Sequence, residues 1–315
     1  MTAKEVHYIS KDQFVKIRVD FVKSMDDIDS FIDEAMANGL LVDGHRQGIM
    51  ALRNTFDQVR QLHDYILRKL PDGSDKFVSA LRKSGHHQIL ALLDDPSFYP
   101  MKFKPHGRVI IINNIDFDDK KYEKRSGSEK DVEGIKNLFT AFNFDVDLYS
   151  NKTAKEMEDI ILKRAAESTA TEDCFVMFLM SHGVVGNIIG TDGNELSYIT
   201  INNALKESSH LKDKPKLIYI NTCQINSNKK NVREYFNVPD LYVAFATVPE
   251  NLAFRTDESG SVFIKSLLTV YERNKEECNV FSLSPEINSQ ISKEFDQISS
   301  SYSTLKKKVI LRATD

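Results

Sequence analysis

From residue 107 onward the chain repeats one pattern, an apolar run followed by a helical stripe. Residues Cys174 to Met180 are apolar at every position, and Leu217 to Ile220 read Leu-Ile-Tyr-Ile. Val109–Ile112, Val146–Tyr149 and Tyr242–Thr247 read as further strands. Between them, Val132, Ile135, Leu138, Phe139 and Phe142 recur at helical spacing, as do Met157, Ile160, Ile161 and Ala165. A strand without a polar face needs cover on both sides, and alternation with helices supplies it. This part therefore reads as an α/β domain with a mostly parallel central sheet, helix-covered on both faces. Helices near Ser261–Tyr271 and Ser284–Phe295 and a last strand near Lys308–Leu311 complete it.

In such sheets functional groups gather beyond the carboxyl ends of the strands. Arg125-Ser126-Gly127 follows the first strand, Ser181-His182-Gly183 the third, Thr222-Cys223 the fourth and a loop reaching Arg255 the fifth. Pro215 and Lys216 lead into the fourth run, which ends at Cys223 and turns polar through Asn226 to Lys230. A cysteine at a strand end is, taken alone, usually a small core hydrophobe. Here an imidazole and two guanidiniums share its edge. A thiolate is a nucleophile, and a nearby imidazole lowers its pKa or takes its proton. Attack on a carbonyl places negative charge on oxygen, for which the backbone N–H groups of Gly183 and Cys223 are candidate donors. Arg125 and Arg255 beside Asn221 are too many donors for a neutral pocket, and guanidinium forks bind carboxylates. The substrate expected is a protein with an acidic side chain next to the scissile bond. Cys174 reads as core and Cys278 as a loop thiol. Gly183, Gly186, Gly190 and Gly193 do not match the spacing of a dinucleotide loop.

The first 95 residues carry a helical period. Phe14, Ile17 and Phe21 share a face, and Ile28, Phe31, Ile32, Ala35 and Met36 form a second stripe. Ser24 with Asp27 resembles a capping box, and Gly39 falls where a C-cap glycine belongs. A weaker segment covers His45–Leu52. Val59, Leu62 and Ile66 lead to Leu70-Pro71, Ser74 caps a helix with Phe77 and Leu81 that ends at Gly85, and Ile89, Leu92 and Leu93 precede Pro96. Six short helices make an antiparallel bundle spanning residues 8–95. It carries no evident chemistry and reads as an adaptor. Residues 96–106, with Pro96, Pro100 and Pro105, read as a linker to the domain at 107–315.

Three widely spaced cysteines give neither a disulfide framework nor a zinc pattern, so no metal and no cofactor is expected. The formal net charge of −4 argues against nucleic acid as the main partner. No apolar run approaches a membrane span and the N-terminus has no signal-peptide core, so the expectation is a cytoplasmic protein without a membrane partner.

Two resemblances follow. His63 to Pro71 followed by Phe77 to Arg82 resembles a caspase recruitment domain, or CARD, a death-fold helical bundle. That implies a CARD-containing adaptor as partner. Residues 107–315 resemble the caspase protease domain through Val109 to Asn114, Arg125-Ser126-Gly127, Phe178 to Gly183, Lys214 to Leu217, and Arg255 ahead of Gly260 to Ile264. Together the two parts are most similar to an initiator caspase of the Dronc type. The resemblance implies a cysteine endopeptidase with His182 and Cys223 as dyad, Gly183 as oxyanion donor, and Arg125, Asn221 and Arg255 around the P1 carboxylate. It also implies apoptotic signalling, a zymogen, and a homodimer or a heterodimer with another caspase, paired edge to edge through the last strand.

The chain departs from that family at the nucleophile. Against the signature Gln-Ala-Cys-Arg/Gln/Gly-Gly it has Asn221-Thr222-Cys223-Gln224-Ile225, and Asn is one methylene shorter than Gln. Ala253-Phe254-Arg255 stands for Ser-Trp-Arg. Cys223 and Asp240 are only 17 positions apart, and Glu234 is the acidic residue between Gln224 and Val238. Two readings stay open: an active protease cutting after Asp or Glu, and a catalytically weak decoy that regulates active caspases or their adaptors.

Overall fold

A computed structural model describes residues 4–5, 7–93, 96–225, 232–293 and 295–313. The expected polar loop Asn226–Lys230 and the pair Asp94–Asp95 lie outside the described residues. The chain divides into two compact units, one within Glu5–Pro96 and one from Ser97 onward.

The first unit is helical: α1 (Lys11–Lys16), α2 (Arg18–Ser24), α3 (Ile28–Ala37), α4 (Asp43–Met50), α5 (Thr55–Lys69), α6 (Ser74–Lys83) and α7 (His87–Leu93). The first expected helix is broken at Ile17. Phe14 and Phe21 would stand about 10 Å apart along one straight helix. The break brings their rings to 5.3 Å, edge on, and both reach the core with Phe31, Leu62, Ile66 and Phe77. Asp27, rather than a Ser24 capping box, caps α3, accepting the Ser30 N–H at 3.0 Å. Ser74 is the first residue of α6 instead of its cap; its hydroxyl donates back to Pro71. Gly39 and Gly85 end their helices at φ 73° and 80°, as the sequence predicts.

The second unit is built on a six-stranded sheet. Its strands are β1 (Arg108–Asn113), β2 (Asp145–Ser150), β3 (Phe175–Met180), β4 (Lys216–Asn221), β5 (Leu241–Phe245) and β6 (Ser300–Ser303). Their order is β6-β5-β4-β3-β1-β2, and only the β5–β6 pair is antiparallel. Every residue of β3, β4 and β5 is buried, as strands without a polar face require. Helices α8 (Ser128–Ala141), α11 (Val262–Arg273) and α12 (Ser284–Ile291) cover one face through Phe139, Phe178, Tyr219 and Leu267. Helices α9 (Ala154–Glu167) and α10 (Tyr198–Glu207) cover the other through Met157, Met177, Ile201 and Ile218.

The C-terminal end differs from expectation. Ile310–Leu311 does not join the sheet but pairs with Cys278–Asn279. The outer strand is Ser300–Ser303, too polar to read as a strand and held by its register to β5. Cys278 is consequently a buried strand residue and not a loop thiol, and burial pushes its thiol far up. α12 ends at Ile291, short of Phe295. No helix among the described residues is long and apolar enough to cross a membrane.

Candidate active site

β3 and β4 run parallel with Met180 opposite Asn221. His182 and Cys223 each lie two residues beyond that pair, so they leave neighbouring strands side by side at the carboxyl edge. β1 delivers its loop to the same edge, with Asn113 opposite Met180.

The His182 ring is half-buried, and its Nε2 is 2.7 Å from the Glu123 carbonyl oxygen. A carbonyl only accepts, so this bond places the proton on Nε2 and leaves Nδ1 as the basic nitrogen. Phe117 and Tyr122 flank the ring, with centroids at 4.8 and 5.4 Å. Burial is the chief cause lowering its pKa; the Glu123 carbonyl opposes this, and the Arg125 and Arg255 charges add to it.

Cys223 is half-buried and its Sγ accepts the Ala253 N–H at 3.5 Å. Gln224 anchors the turn. Its N–H reaches Asn251 O at 3.0 Å, and its Nε2 reaches Tyr198 Oη at 3.3 Å and Thr222 Oγ1 at 3.2 Å. Gly183 begins a short strand opposite Ile188, where a Cβ would stand 2.7 Å from Thr222 Cβ. That packing admits only glycine and brings the loop after His182 against the loop of Cys223.

Arg125 is buried. Its Nη1 donates to Asn113 Oδ1 at 3.2 Å and to Asn114 O at 2.8 Å. Burial first, and then the Arg255 charge, push it down to about 10; Asp131 and Cys223 pull the other way. Arg255 is half-buried, and its Nε donates to Ser126 O at 2.8 Å. The loop of one arginine thus holds the side chain of the other. Asn221 Nδ2 donates to Ser261 Oγ at 2.7 Å, and Asp131 accepts both the N–H and the hydroxyl of Ser261.

Of the sequence-predicted site residues, Asn221 ends β4, His182, Gly183 and Cys223 lie two or three residues beyond β3 and β4, and Arg125 and Arg255 lie further out in the loops that follow β1 and β5. Sequence reasoning missed the Glu123 carbonyl, Ser261 and Asp131. A backbone acceptor leaves no mark in a sequence. Asp131 does leave one: it precedes Ile135 and Leu138 on the core-facing stripe of α8, where a carboxylate needs partners. Among the described residues no group of three or more His, Cys, Asp or Glu is placed to hold a metal ion.

Comparison with known proteins gives one consistent result. Residues 106–310 match the family described as "Caspase domain". The chain is 29% identical to caspase-7 of Gallus gallus over 222 residues, covering 64% of this chain and 72% of that protein. It is 27% identical to caspase-8 of Mus musculus over 231 residues (63% of this chain, 48% of that protein). It is 28% identical to caspase-4 of Bos taurus over 240 residues (64% of this chain, 63% of that protein). The chain thus spans about half the length of the mouse relative.

Proposed function

The chain belongs to the caspase family, and from that premise we propose that it is a cysteine endopeptidase cutting proteins after an acidic residue, Asp or Glu. The observation that carries the reading is the register that brings His182 and Cys223 out side by side, with two arginine loops interlocked at the same edge.

In this reaction His182 Nδ1 takes the Cys223 thiol proton as Sγ bonds to the scissile carbonyl carbon. The carbonyl oxygen takes the negative charge, and the N–H groups of Gly183 and Cys223 donate to it. The Nε2–H bond to Glu123 O holds the ring in the tautomer this requires. The imidazolium then gives its proton to the departing amine as the C–N bond breaks, leaving a thioester. A water, deprotonated by His182, attacks the thioester and the thiol leaves with the proton. Arg125 and Arg255, with Asn221, hold the P1 carboxylate before and during these steps.

The helical unit is read as a CARD-like recruiting module of an initiator-type caspase, bound by a CARD-containing adaptor in apoptotic signalling. What supports this is its run of short packed helices around one apolar core. The outer strand β6 is the edge through which a second protease domain would pair. Free thiols at Cys174, Cys223 and Cys278 suit a reducing, cytoplasmic setting.

A second reading, the decoy, is favoured by one contact. The Ala253 N–H caps Cys223 Sγ, so the loop before Arg255 rests on the nucleophile. The deciding experiment measures cleavage of acidic-P1 peptides by the purified chain, alone and under forced dimerisation. Turnover that Cys223→Ala abolishes supports the protease; turnover no higher than that of Cys223→Ala supports the decoy.

A further inference from the structure

The loops that carry the arginines close over a buried carboxylate that the reaction above does not use. Asp131, in the first turn of α8, is 2% exposed. One of its oxygens accepts the Ser261 N–H at 2.9 Å and the other accepts the Ser261 hydroxyl. The Ser261 hydroxyl in turn accepts from Asn221 Nδ2 at 2.7 Å. Ser261 and Asn221 are buried as well, and buried polar groups are hydrogen-bonded.

The direction of this chain is forced. An ionised carboxylate only accepts, so the single hydroxyl hydrogen of Ser261 goes to Asp131. The serine oxygen is then left as an acceptor, and it must meet the NH2 end of the Asn221 amide. Gly260 makes room for the arrangement: its φ is 79°, and a Cβ there would run into Asp131 Oδ1. The charges agree. Arg125 and Arg255 repel each other, and Asp131 acts on Arg125 as a counter-charge. Burial lifts the Asp131 carboxyl to about 6, against the pull of Ser261 and the two arginines, so it is ionised at neutral pH.

We infer that Asp131 is a positioning residue of the arginine pocket: through Ser261 it fixes which end of the Asn221 amide is turned toward the acidic side chain of the substrate. The inference rests on the proposed reading of that pocket and deepens it. With the NH2 end held at Ser261, its second N–H is the donor left for a P1 carboxylate. Replacing Asp131 by Asn puts an NH2 group where an acceptor stood, and the hydrogen-bond chain can run backwards.

The test is steady-state kinetics of the full chain on matched peptides with Asp, Glu or Asn at P1. The proteins are wild type, Asp131→Asn, Ser261→Ala and the double variant. Asp131→Asn is expected to raise KM for acidic P1 about tenfold or more, the scale of a hydrogen bond to a charged group. Turnover at saturation should stay within about threefold, because the dyad is untouched. Preference over the Asn-P1 peptide should shrink by the same factor as KM rises. Ser261→Ala should raise KM in the same way, and the double variant should be no worse than Asp131→Asn, since both cut one chain. Alkylation of Cys223 by iodoacetamide should proceed at one rate in all four proteins.

An unchanged KM in a folded Asp131→Asn, or effects that multiply in the double variant, would overturn the inference and leave the pocket standing. If Asp131→Asn does not fold, Ser261→Ala decides, and an unchanged KM there overturns it equally. A wild type that neither cleaves nor binds the acidic-P1 peptides defeats the pocket reading itself, and this inference with it.

Discussion

Nε2 of His182 stands 2.7 Å from the carbonyl oxygen of Glu123, a residue 59 positions earlier in the chain. The bond settles which imidazole nitrogen is basic before any substrate arrives. It also ties the strand-end loop of the histidine to the loop that carries Arg125, so the base and the cation are set by one piece of backbone.

A pH profile follows from this. Burial lowers the His182 pKa from its ordinary value of 6.5, so the base stays neutral, and able to take a proton, further into acid than a free imidazole. The acid limb of kcat/KM should fall with an apparent pKa below 6.5. Phe117→Ala opens the ring to water, removes part of the largest cause and should move that limb upward. A limb above 6.5 in the wild type would show that the ring is not buried as described.

Gly183→Ala should disable the site while leaving the fold. The added Cβ meets Thr222 Cβ at 2.7 Å, so the loops after His182 and Cys223 must part. Displacing one oxyanion donor lowers turnover by about 100-fold or more. Overpacking at this one point costs about 1–3 kcal/mol of stability. Peptide turnover and thermal unfolding measured together separate the two effects.

Arg125→Gln and Arg255→Gln should each raise KM for acidic-P1 peptides by roughly 10- to 100-fold, the scale of losing charge-assisted hydrogen bonds. Neutral-P1 peptides should be nearly unaffected. Arg125→Gln should in addition loosen the Asn113–Asn114 turn, which its guanidinium now bonds at 3.2 and 2.8 Å. Titration with matched peptides reads the first effect, and hydrogen exchange at Ile115 reads the second.

The helical unit carries its own pH dependence. His63 is fully buried, stacked on Phe14 at 4.2 Å, with Nε2 at 3.1 Å from Phe14 O and Nδ1 at 3.6 Å from Asp64 Oδ1. Burial lowers the pKa of His63, and likewise that of His86. A base whose folded pKa is depressed binds its proton more tightly in the unfolded chain. Stability is therefore full above about 6.5, the unfolded value, and falls as pH drops below it. The limiting slope is about 1.4 kcal/mol per pH unit for each histidine. Hydrogen exchange at Phe77 and Leu81 in the full chain between pH 7.5 and 5 measures it; protection that does not fall with pH would contradict it.

Much of the architecture was legible because burial leaves a periodic trace. The apolar runs of β3, β4 and β5 could be nothing but doubly covered strands, and the stripes of α8 and α9 announced their covers. β6 was not legible, since Ser300 to Ser303 is a strand by pairing with β5 and not by composition. The break at Ile17 was hidden for a related reason, as Phe14, Ile17 and Phe21 keep helical spacing across it. At the site, side chains with distinctive chemistry stood out while their supports did not. The Glu123 carbonyl, the Ser261 hydroxyl and the Asp131 carboxylate gain their roles from tertiary partners 40 to 130 positions away.

Covalent labelling tests the central claim most directly. The full chain is treated with a peptide aldehyde or chloromethyl ketone bearing Asp at P1, and with its Asn counterpart. The account predicts one-to-one labelling of Cys223 by the Asp reagent, at least tenfold slower labelling by the Asn reagent, and loss of both in His182→Ala. Equal labelling by the two reagents, or labelling that His182→Ala leaves unchanged, would contradict it.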